Sequence, residues 1–578
     1  MSRRASIPSA ADPVIAPDSG FPQAHAVTLS WIKSPATGRF ALAVVAGLCL
    51  AAAFPKPGIA GLAWIAPALM LLPALGRGSG EAFRIGYAGG LAWNLASYYW
   101  LLLIPVTGPP ILGWLALSMY LALYPAVWVW LLTRMLGHAS PGAPNGVPGL
   151  GRAAELVHGA PATWDWSRRA LWAVYGASLW VALEMFRGWF LSGMPWNPLG
   201  ASQYRMLPLI QLSSLTGVAG ISFLVLWTSL SLLLAGLAIL RAPGVRSAWI
   251  GEIILPFGVV AAVFVFGGHR LAQPQPSAGV LKVACVQPSI PQAMIWDARE
   301  SSNRFSQLLD LSRRALVEKP DLIVWPEAAL PSLDLTSFAA ITNLIRDHHV
   351  WMLFGADDAE LTRPGAAQPE YDYFNSAFLF GPDGRYVSNY RKRKLVIFGE
   401  YVPLSRWLPF LKYFTPIEGG FTPGQGPAVF TLTDPLVRLC PLICFEDIFP
   451  GFVRRSLDAD TDLLVNLTNN GWFGEGAAQW QHAATAIFRA VENGLPLLRC
   501  ANNGLTCWVD PHGRIVQEFV DDRGTSYGPG FMSATIPLPI RGDAAPTFYR
   551  QHGDWFGRGC VVIALTGAAW NLRRRKAG

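Results

Sequence analysis

The sequence predicts a polytopic α-helical membrane protein of about eight transmembrane helices that carries one extracytoplasmic α/β domain. Three observations predict it. Mean hydropathy is +0.32 while only 14% of the residues are charged. The apolar residues gather in the first half of the chain and again at its very end. Between these regions, short apolar and β-branched runs alternate with amphipathic stretches, the pattern of helices layered on a mixed sheet. A chain of 578 residues exceeds one ordinary core and suffices for two or three domains.

Residues 1–38 are rich in Ser, Ala and Pro, carry Arg3 and Arg4, and lack apolar periodicity. They read as a disordered cytoplasmic tail, because no apolar segment follows the basic pair directly as a cleavable signal requires. Residues 39–272 form the predicted transmembrane domain. Its seven spans lie near Phe40–Phe54, Gly58–Leu75, Phe83–Ile104, Ile111–Leu136, Ala170–Met185, Val218–Leu240 and Ile250–Gly267. The first and fifth are shorter than the roughly 20 residues a crossing helix needs. An eighth span, Phe556–Leu572, lies in the C-terminal unit 551–578, which ends in a basic tail.

Loop charge sets the orientation. One side collects Arg3, Arg4 and Arg39, then Arg77 and Arg84, then Arg134, Arg152, Arg168 and Arg169, then Arg241 and Arg246, and finally Arg573, Arg574, Arg575 and Lys576. The other side has Lys56, no charge in PVTGPP, and Arg187 and Arg205. Positive charge is retained on the cytoplasmic side, so both termini are predicted there and residues 273–550 outside.

That outer segment offers the candidate strands VLKVACVQ, DLIVWPE, VWMLFGA, NSAFLFG, VRLCPLICFE, DLLVNLTN, LPLLRCAN and TCWVDP, with amphipathic helices at Asp297–Val317 and Ala477–Asn493. The net charge of +8 is spread between apolar spans instead of gathered in one patch, which excludes a nucleic-acid partner and fits membrane topology. Seven cysteines without a CxxC pair make neither a disulfide framework nor a zinc site. On one strand, Cys440 and Cys444 would have α-carbons about 13 Å apart, too far to bridge. Cys500 and Cys507 flank ANNGLT and are expected to face each other across a turn in a structural role.

Three segments that end candidate strands, or adjoin them, carry chemistry. VWPEAALP holds Glu327, YRKRKLVIFGEYVP holds Lys392 and Glu400, and PLICFEDIFP holds Cys444 and Glu446. A cysteine nucleophile needs a base, and acyl transfer needs positive charge or N–H donors where the oxyanion forms. Glu, Lys and Cys supply those roles. Taken singly, each has a plainer reading: Cys444 as a small core hydrophobe, Glu327 as a carboxylate at a helix N-terminus, Lys392 as one of four successive basic residues on a solvated loop. If the strand continues through Cys444, alternation puts Cys444 and Glu446 on one face.

The Glu–Lys–Cys order resembles the nitrilase, or carbon–nitrogen hydrolase, superfamily. From about residue 39 onward the chain resembles its membrane-embedded branch, the apolipoprotein N-acyltransferase family. The strings that carry this are WPEAALP, FGEYVP, CFE and NNGWFG, the IPQAMIWD segment, and FRGW with SGMPW between the fifth and sixth spans. The resemblance implies an αββα sandwich for the outer domain, with Glu327 as general base, Cys444 as nucleophile and Lys392 as the lysine. The family pattern of Tyr, any residue, Lys, two residues and Leu-Val is met by Tyr390 and Leu395, which selects Lys392 among its basic neighbours. It further implies site roles for Glu400 and Glu446, a lid aromatic at Trp296, and Phe445, Trp472 and Phe473 near the acyl group and nucleophile. Ile397 stands where proline is usual, and Asn470 where aspartate is common.

The resemblance implies a ping-pong reaction without metal or organic cofactor. An acyl chain passes from a phospholipid, phosphatidylethanolamine above all, through a Cys444 thioester to the α-amino group of S-diacylglyceryl cysteine in an apolipoprotein. Such an enzyme sits in the bacterial cytoplasmic (inner) membrane with its catalytic domain in the periplasm. Both substrates are anchored by acyl chains at about 0.8 kcal/mol per buried methylene. Trp189, Met194 and Trp196 are therefore candidates for the substrate entrance, or for an interfacial aromatic belt. Arg187 is a candidate phosphate contact, or a partner for Glu184 one turn away. Two other classes compete: a membrane-tethered amidase or nitrilase that ends with water, and a transporter with an outer binding domain. Apolar loops around the site argue against the first. Few midplane charges and no repeated half argue against the second.

Overall fold

The apolar runs of the first half fold as helices: Ala36–Ala52, Ser79–Ser97, Pro109–Arg134, Trp166–Arg187, Val218–Arg241 and Ile250–Ala272, with Trp555–Ala577 at the end of the chain. The computed structural model describes residues 36–106, 108–136, 161, 163–242, 244–295, 297–330, 334–362, 370–405, 407–408, 410, 420–541 and 545–577. Trp296, Arg152 and nearly all of the N-terminal tail lie outside these.

Two expected spans differ: within Phe83–Ile104 the α-helix ends at Ser97, and Tyr99–Leu103 is a separate 3-10 turn. Gly58–Leu75 is not one helix but three pieces, Ala60–Trp64, Ala66–Leu71 and Leu72–Ala74. Pro67 and Pro73 each open a new piece, since proline fits a first turn but removes an N–H from a helix interior. By length and apolar composition alone, three helices among the described residues suffice to cross a bilayer: Pro109–Arg134, Val218–Arg241 and Ile250–Ala272. Ala36–Ala52 is only 17 residues long.

Twelve strands follow in chain order: β1 (Ser277–Gln287), β2 (Leu322–Val324), β3 (Trp351–Leu361), β4 (Tyr371–Phe380), β5 (Tyr386–Arg391), β6 (Phe430–Thr433), β7 (Leu436–Ile443), β8 (Leu463–Thr468), β9 (Leu497–Ala501), β10 (Cys507–Val509), β11 (Ile515–Glu518) and β12 (Gly530–Pro539). They form two six-stranded sheets, ordered β12-β1-β2-β3-β4-β5 and β11-β10-β9-β8-β7-β6. Each has the same plan: a parallel trio, β1-β2-β3 or β7-β8-β9, flanked by antiparallel strands.

Side-chain alternation builds the layers. Val283, Cys285, Val324 and Leu353 of one sheet meet Leu439, Ile443, Val465 and Leu498 of the other in a shared core. The outer face of the first sheet, with Ala284, Ile323, Trp325 and Phe354, packs under Ser301–Leu316 and Leu335–His348. The outer face of the second, with Cys440, Leu442, Leu464 and Val509, joins a single core with the Ala478–Asn493 helix and the apolar helices. Every residue of Ala478–Asn493 except Trp480 is buried, so this helix is an internal layer between sheet and helical half. Cys500 and Cys507 do not face each other: Cys500 points into the inter-sheet core and Cys507 into the opposite one. β9 and β10 pair Arg499 with Cys507, and this register puts the two sulfurs on opposite faces.

Candidate active site

Strand ends assemble the site. Glu327 follows β2, Lys392 follows β5, and Cys444 follows β7, the carboxyl ends of strands being where open α/β sheets gather functional groups. The turn bearing Glu327 lies flat on β3 because Gly355 is there. A Cβ at Gly355 would stand 2.5 Å from the Pro326 carbonyl oxygen and 2.7 Å from the Glu327 Cα.

Lys392 is 1% exposed. Its Nζ donates to Glu327 Oε1 at 3.0 Å and to Glu400 Oε1 at 2.7 Å. Burial alone would lower its proton affinity, but the two carboxylates outweigh that and hold the ammonium well above the usual lysine range. Asn375 donates through Nδ2 to the same two oxygens, at 2.8 Å for Glu327 and 3.0 Å for Glu400. The remaining oxygens accept backbone N–H groups, Glu327 Oε2 from Asn469 at 2.8 Å and Glu400 Oε2 from Val396 at 2.8 Å. The Val396–Glu400 turn thus closes with Ile397 inside it.

Cys444 corrects the expectation of a strand running on to Glu446. β7 stops at Ile443, and Cys444–Ile448 is a 3-10 turn. Cys444 has φ of +51°, a left-handed conformation costing a non-glycine residue about 1–2 kcal/mol. The turn is held by Asn466 Nδ2, which donates to the Cys444 carbonyl at 2.9 Å, and by Glu446. The fully buried Glu446 carboxylate accepts from the N–H groups of Ile443 at 2.9 Å, Arg393 at 2.7 Å and Lys394 at 3.1 Å, and from the Tyr390 hydroxyl at 2.9 Å. Glu446 therefore ties the segment after β5 to the turn after β7. Burial raises the Glu446 carboxyl above its usual range, offset in part by those N–H donors. The Cys444 thiol is pushed up to about 12, first by burial and then by Glu327, with Lys392 and Thr468 acting the other way. It rests as a thiol.

Phe445 packs edge-on against Phe449 at 5.0 Å between ring centroids. Phe473 meets Trp100 at 4.5 Å, and Trp472 is half-buried beside it. Asn470 Oδ1 lies 3.2 Å from His482 Nδ1, and His482 Nε2 lies 2.7 Å from Asp447 Oδ1. The expected entrance is divided. Trp189 is 74% exposed and Met194 half-buried, but Trp196 and Arg187 are buried. Trp196 stacks near Trp100 and His482, each at 5.3 Å. Arg187 donates to the Trp196 carbonyl at 3.1 Å, while Glu184 accepts from Trp180 at 2.8 Å and from the Leu199 N–H at 2.7 Å. These two brace the loop and do not form the expected pair. The loop still borders the site, since the Ser192 hydroxyl is 2.8 Å from that of Tyr401.

Sequence reasoning missed Asn375, Asn469, Thr468 and Asp357. The signal for Asn375 was a polar residue opening the apolar run NSAFLFG, and for Thr468 and Asn469 the polar end of LLVNLTN. Asp357 lies directly across the β3–β4 pair from Asn375. Burial, then Glu327 and Glu400, push its carboxyl up to about 8.

Comparison with known proteins supplies the family. The model of the apolipoprotein N-acyltransferase N-terminal domain matches residues 46–231, and that of the carbon-nitrogen hydrolases matches residues 282–529. An apolipoprotein N-acyltransferase of Geobacter metallireducens is 36% identical over 93% of this chain and 96% of its own. One from Azotobacter vinelandii is 32% identical over 95% and 98% respectively. A crystal structure of an amidase from Nesterenkonia sp. is 17% identical, with a TM-score of 0.34, over 49% of this chain and 99% of that one. With two family models in their order along one chain and relatives matched over nearly their whole length, this protein belongs to the apolipoprotein N-acyltransferase family.

Proposed function

We propose that this protein transfers an acyl chain from a membrane phospholipid, through a thioester on Cys444, to the N-terminal amine of S-diacylglyceryl cysteine in an apolipoprotein. The observation that carries this reading is the Lys392 ammonium, 3.0 Å from Glu327 and 2.7 Å from Glu400, at the strand ends where Cys444 also stands. Glu327 takes the thiol proton as sulfur attacks the acyl ester carbonyl. Because the resting group is a thiol, proton transfer accompanies attack. Lys392 and a backbone N–H offset the oxyanion charge. The lysophospholipid leaves with the proton from Glu327, and the thioester remains. The lipoprotein amine then attacks, Glu327 receives its proton, and the thiolate is expelled and reprotonated.

In this reading residues 39–272 and 551–578 hold eight crossings in the bacterial inner membrane, residues 273–550 lie in the periplasm, and residues 1–38 form a cytoplasmic tail. Phosphatidylethanolamine is the donor. Glu400 and Glu446 hold the catalytic groups in place, Phe445, Trp472 and Phe473 border the thioester, and Trp296 belongs to the lid. Trp189 and Met194 border the entrance, with Arg187 and Trp196 fixing the loop that carries them. The burial of the Ala478–Asn493 helix against the apolar helices supports a catalytic domain seated on the membrane half.

Supplying phospholipid without lipoprotein tests this. The expected result is a long-lived, hydroxylamine-sensitive acyl adduct on the wild type, absent in Cys444→Ala. A diacylglyceryl peptide with a free N-terminus discharges it, and the same peptide with an acetylated N-terminus does not. Rapid loss of the adduct as free fatty acid, unaffected by either peptide, would overturn the reading in favour of a hydrolase.

A further inference from the structure

We propose that Thr468 is a further catalytic residue, whose hydroxyl donates a hydrogen bond to the Cys444 sulfur whenever that sulfur carries negative charge. The proposal rests on the reading of Cys444 as nucleophile. β7 and β8 run parallel with Ile443 beside Leu467, so the next residue of each, Cys444 and Thr468, stand side by side at the strand ends. Leu463, Val465 and Leu467 send their side chains into the inter-sheet core, which leaves Asn466 and Thr468 on the other face of β8. Asn466 already reaches the nucleophile turn, at the Cys444 carbonyl. The Thr468 hydroxyl favours the charged form of the Cys444 sulfur.

Thr468 is fully buried, and its hydroxyl makes no hydrogen bond in this resting state. A buried hydroxyl without a partner is costly to keep, and a thiol is a weak acceptor that draws it into line only weakly. A thiolate is a strong one. Among the groups around Cys444, burial and the carboxylates of Glu327 and Glu400 oppose the thiolate, while Lys392 and Thr468 favour it. Lys392 is already engaged by those two carboxylates, which leaves the Thr468 hydroxyl uncommitted.

The chemistry balances without moving the threonine proton. In the first half-reaction Glu327 takes the thiol proton, the sulfur electron pair forms the S–C bond, and Thr468 steadies the sulfur up to attack. In the second, the tetrahedral adduct of the amine collapses, the S–C bond breaks, and sulfur leaves with its electron pair to be reprotonated through Glu327. Thr468 again donates as charge returns to sulfur. One donor therefore serves both half-reactions, whereas a donor to the carbonyl oxygen alone would leave the nucleophilicity of free Cys444 untouched.

That difference supplies the test. The full-length protein is treated with iodoacetamide at neutral pH, and alkylation is followed on the peptide containing Cys444. A hydrogen bond to a charged group sets the expected effect at about 10- to 100-fold. Thr468→Val should alkylate more slowly by that factor, and both formation and discharge of the acyl adduct should slow likewise. Thr468→Ser, which keeps the hydroxyl, should remain near the wild type. Should the valine variant fail to fold by its thermal unfolding profile, Thr468→Ala removes the hydroxyl without adding a methyl group and carries the same expectation. Wild-type alkylation after loss of the hydroxyl would overturn the proposal, as would a serine variant as slow as the valine. Cys444→Ala separates the two readings: transfer activity there would sink Cys444 as nucleophile, whereas an inactive Cys444→Ala with wild-type alkylation in Thr468→Val would sink Thr468 alone.

Discussion

Replacing Lys392 by methionine keeps the length of the side chain and removes its charge. Two carboxylates then lose their shared cation. Glu327 keeps Asn375 and the Asn469 N–H, and Glu400 keeps Asn375 and the Val396 N–H, but nothing offsets their mutual repulsion. Breaking a buried ion pair from one side costs about 3–5 kcal/mol. Losing an oxyanion donor costs about 100- to 1,000-fold in rate. Lys392→Met is therefore expected to lower the unfolding midpoint and to slow acyl transfer by at least two orders of magnitude. The double variant Lys392→Met/Glu400→Gln removes the surplus charge; it should recover stability but not transfer. Lys394→Ala is the control. Lys394 Nζ makes only a 3.4 Å contact with the Ser192 carbonyl and lies 5.0 Å from the Phe449 ring, a cation–π contact worth about 0.5–1 kcal/mol. Thermal unfolding and release of lysophospholipid, measured on all three, read the two effects separately. Near-wild-type transfer by Lys392→Met, or an equal loss in Lys394→Ala, would refute the reasoning.

Asn375→Leu deletes both amide bonds to Glu327 and Glu400 and should slow thioester formation about 10- to 100-fold, read as the rate of adduct appearance; an unchanged rate would mean Glu327 is held without it. Asp357→Asn tests linkage. The folded Asp357 carboxyl titrates near 8 against about 4 unfolded, so its stabilising contribution is complete below pH 4 and is lost as pH rises through 8. The asparagine variant should match the wild-type unfolding midpoint near pH 4 and exceed it above pH 8, and parallel pH profiles would contradict this. Gln481→Leu should lower the unfolding midpoint at every pH. It strands the indole N–H groups of Trp100 and Trp196 and the carbonyls of Pro55 and Ser97, each costing about 1–3 kcal/mol when buried and unpaired.

What the sequence makes legible here follows its period and its order. Continuous apolar runs mark β1, β3, β7 and β8 because both of their faces are buried in separate cores. β5, β6, β11 and β12 escape notice because they are edge strands with exposed residues, where no continuous apolar signal exists. Glu327, Lys392 and Cys444 are legible from the strings around them, since the chain order of the strand ends is kept. Their supports are not, because Asn375 and Asp357 become neighbours of Glu327 only through the β3–β4 register. Composition also misjudges Arg187 and Trp196. Both belong to a stretch with the look of a membrane interface, yet Arg187 closes the Trp166–Arg187 helix and Trp196 packs against the Ala478–Asn493 helix, and tertiary packing overrides the local pattern.

That packing bears on how the two halves act together. Asp447 lies three residues beyond Cys444 and is fully buried. Burial alone would raise its carboxyl, but His482 and Arg499 outweigh burial and hold it below the usual range. His482 in turn touches Asn470 beside Trp472 and the ring of Trp196, and its neighbour Gln481 bonds four groups from the helical half. A buried charge is costly to strip of its partners, so the Cys444–Ile448 turn, the Asn470–Phe473 turn and the Ala478–Asn493 helix are fixed to one another. The Trp196 loop and the ends of the apolar helices are fixed to the same helix. The position of Cys444 is thereby set by contacts with the helical half as well as by its own sheet, and under the proposed function an acyl chain approaching along those helices meets a nucleophile whose height above them is fixed by the fold.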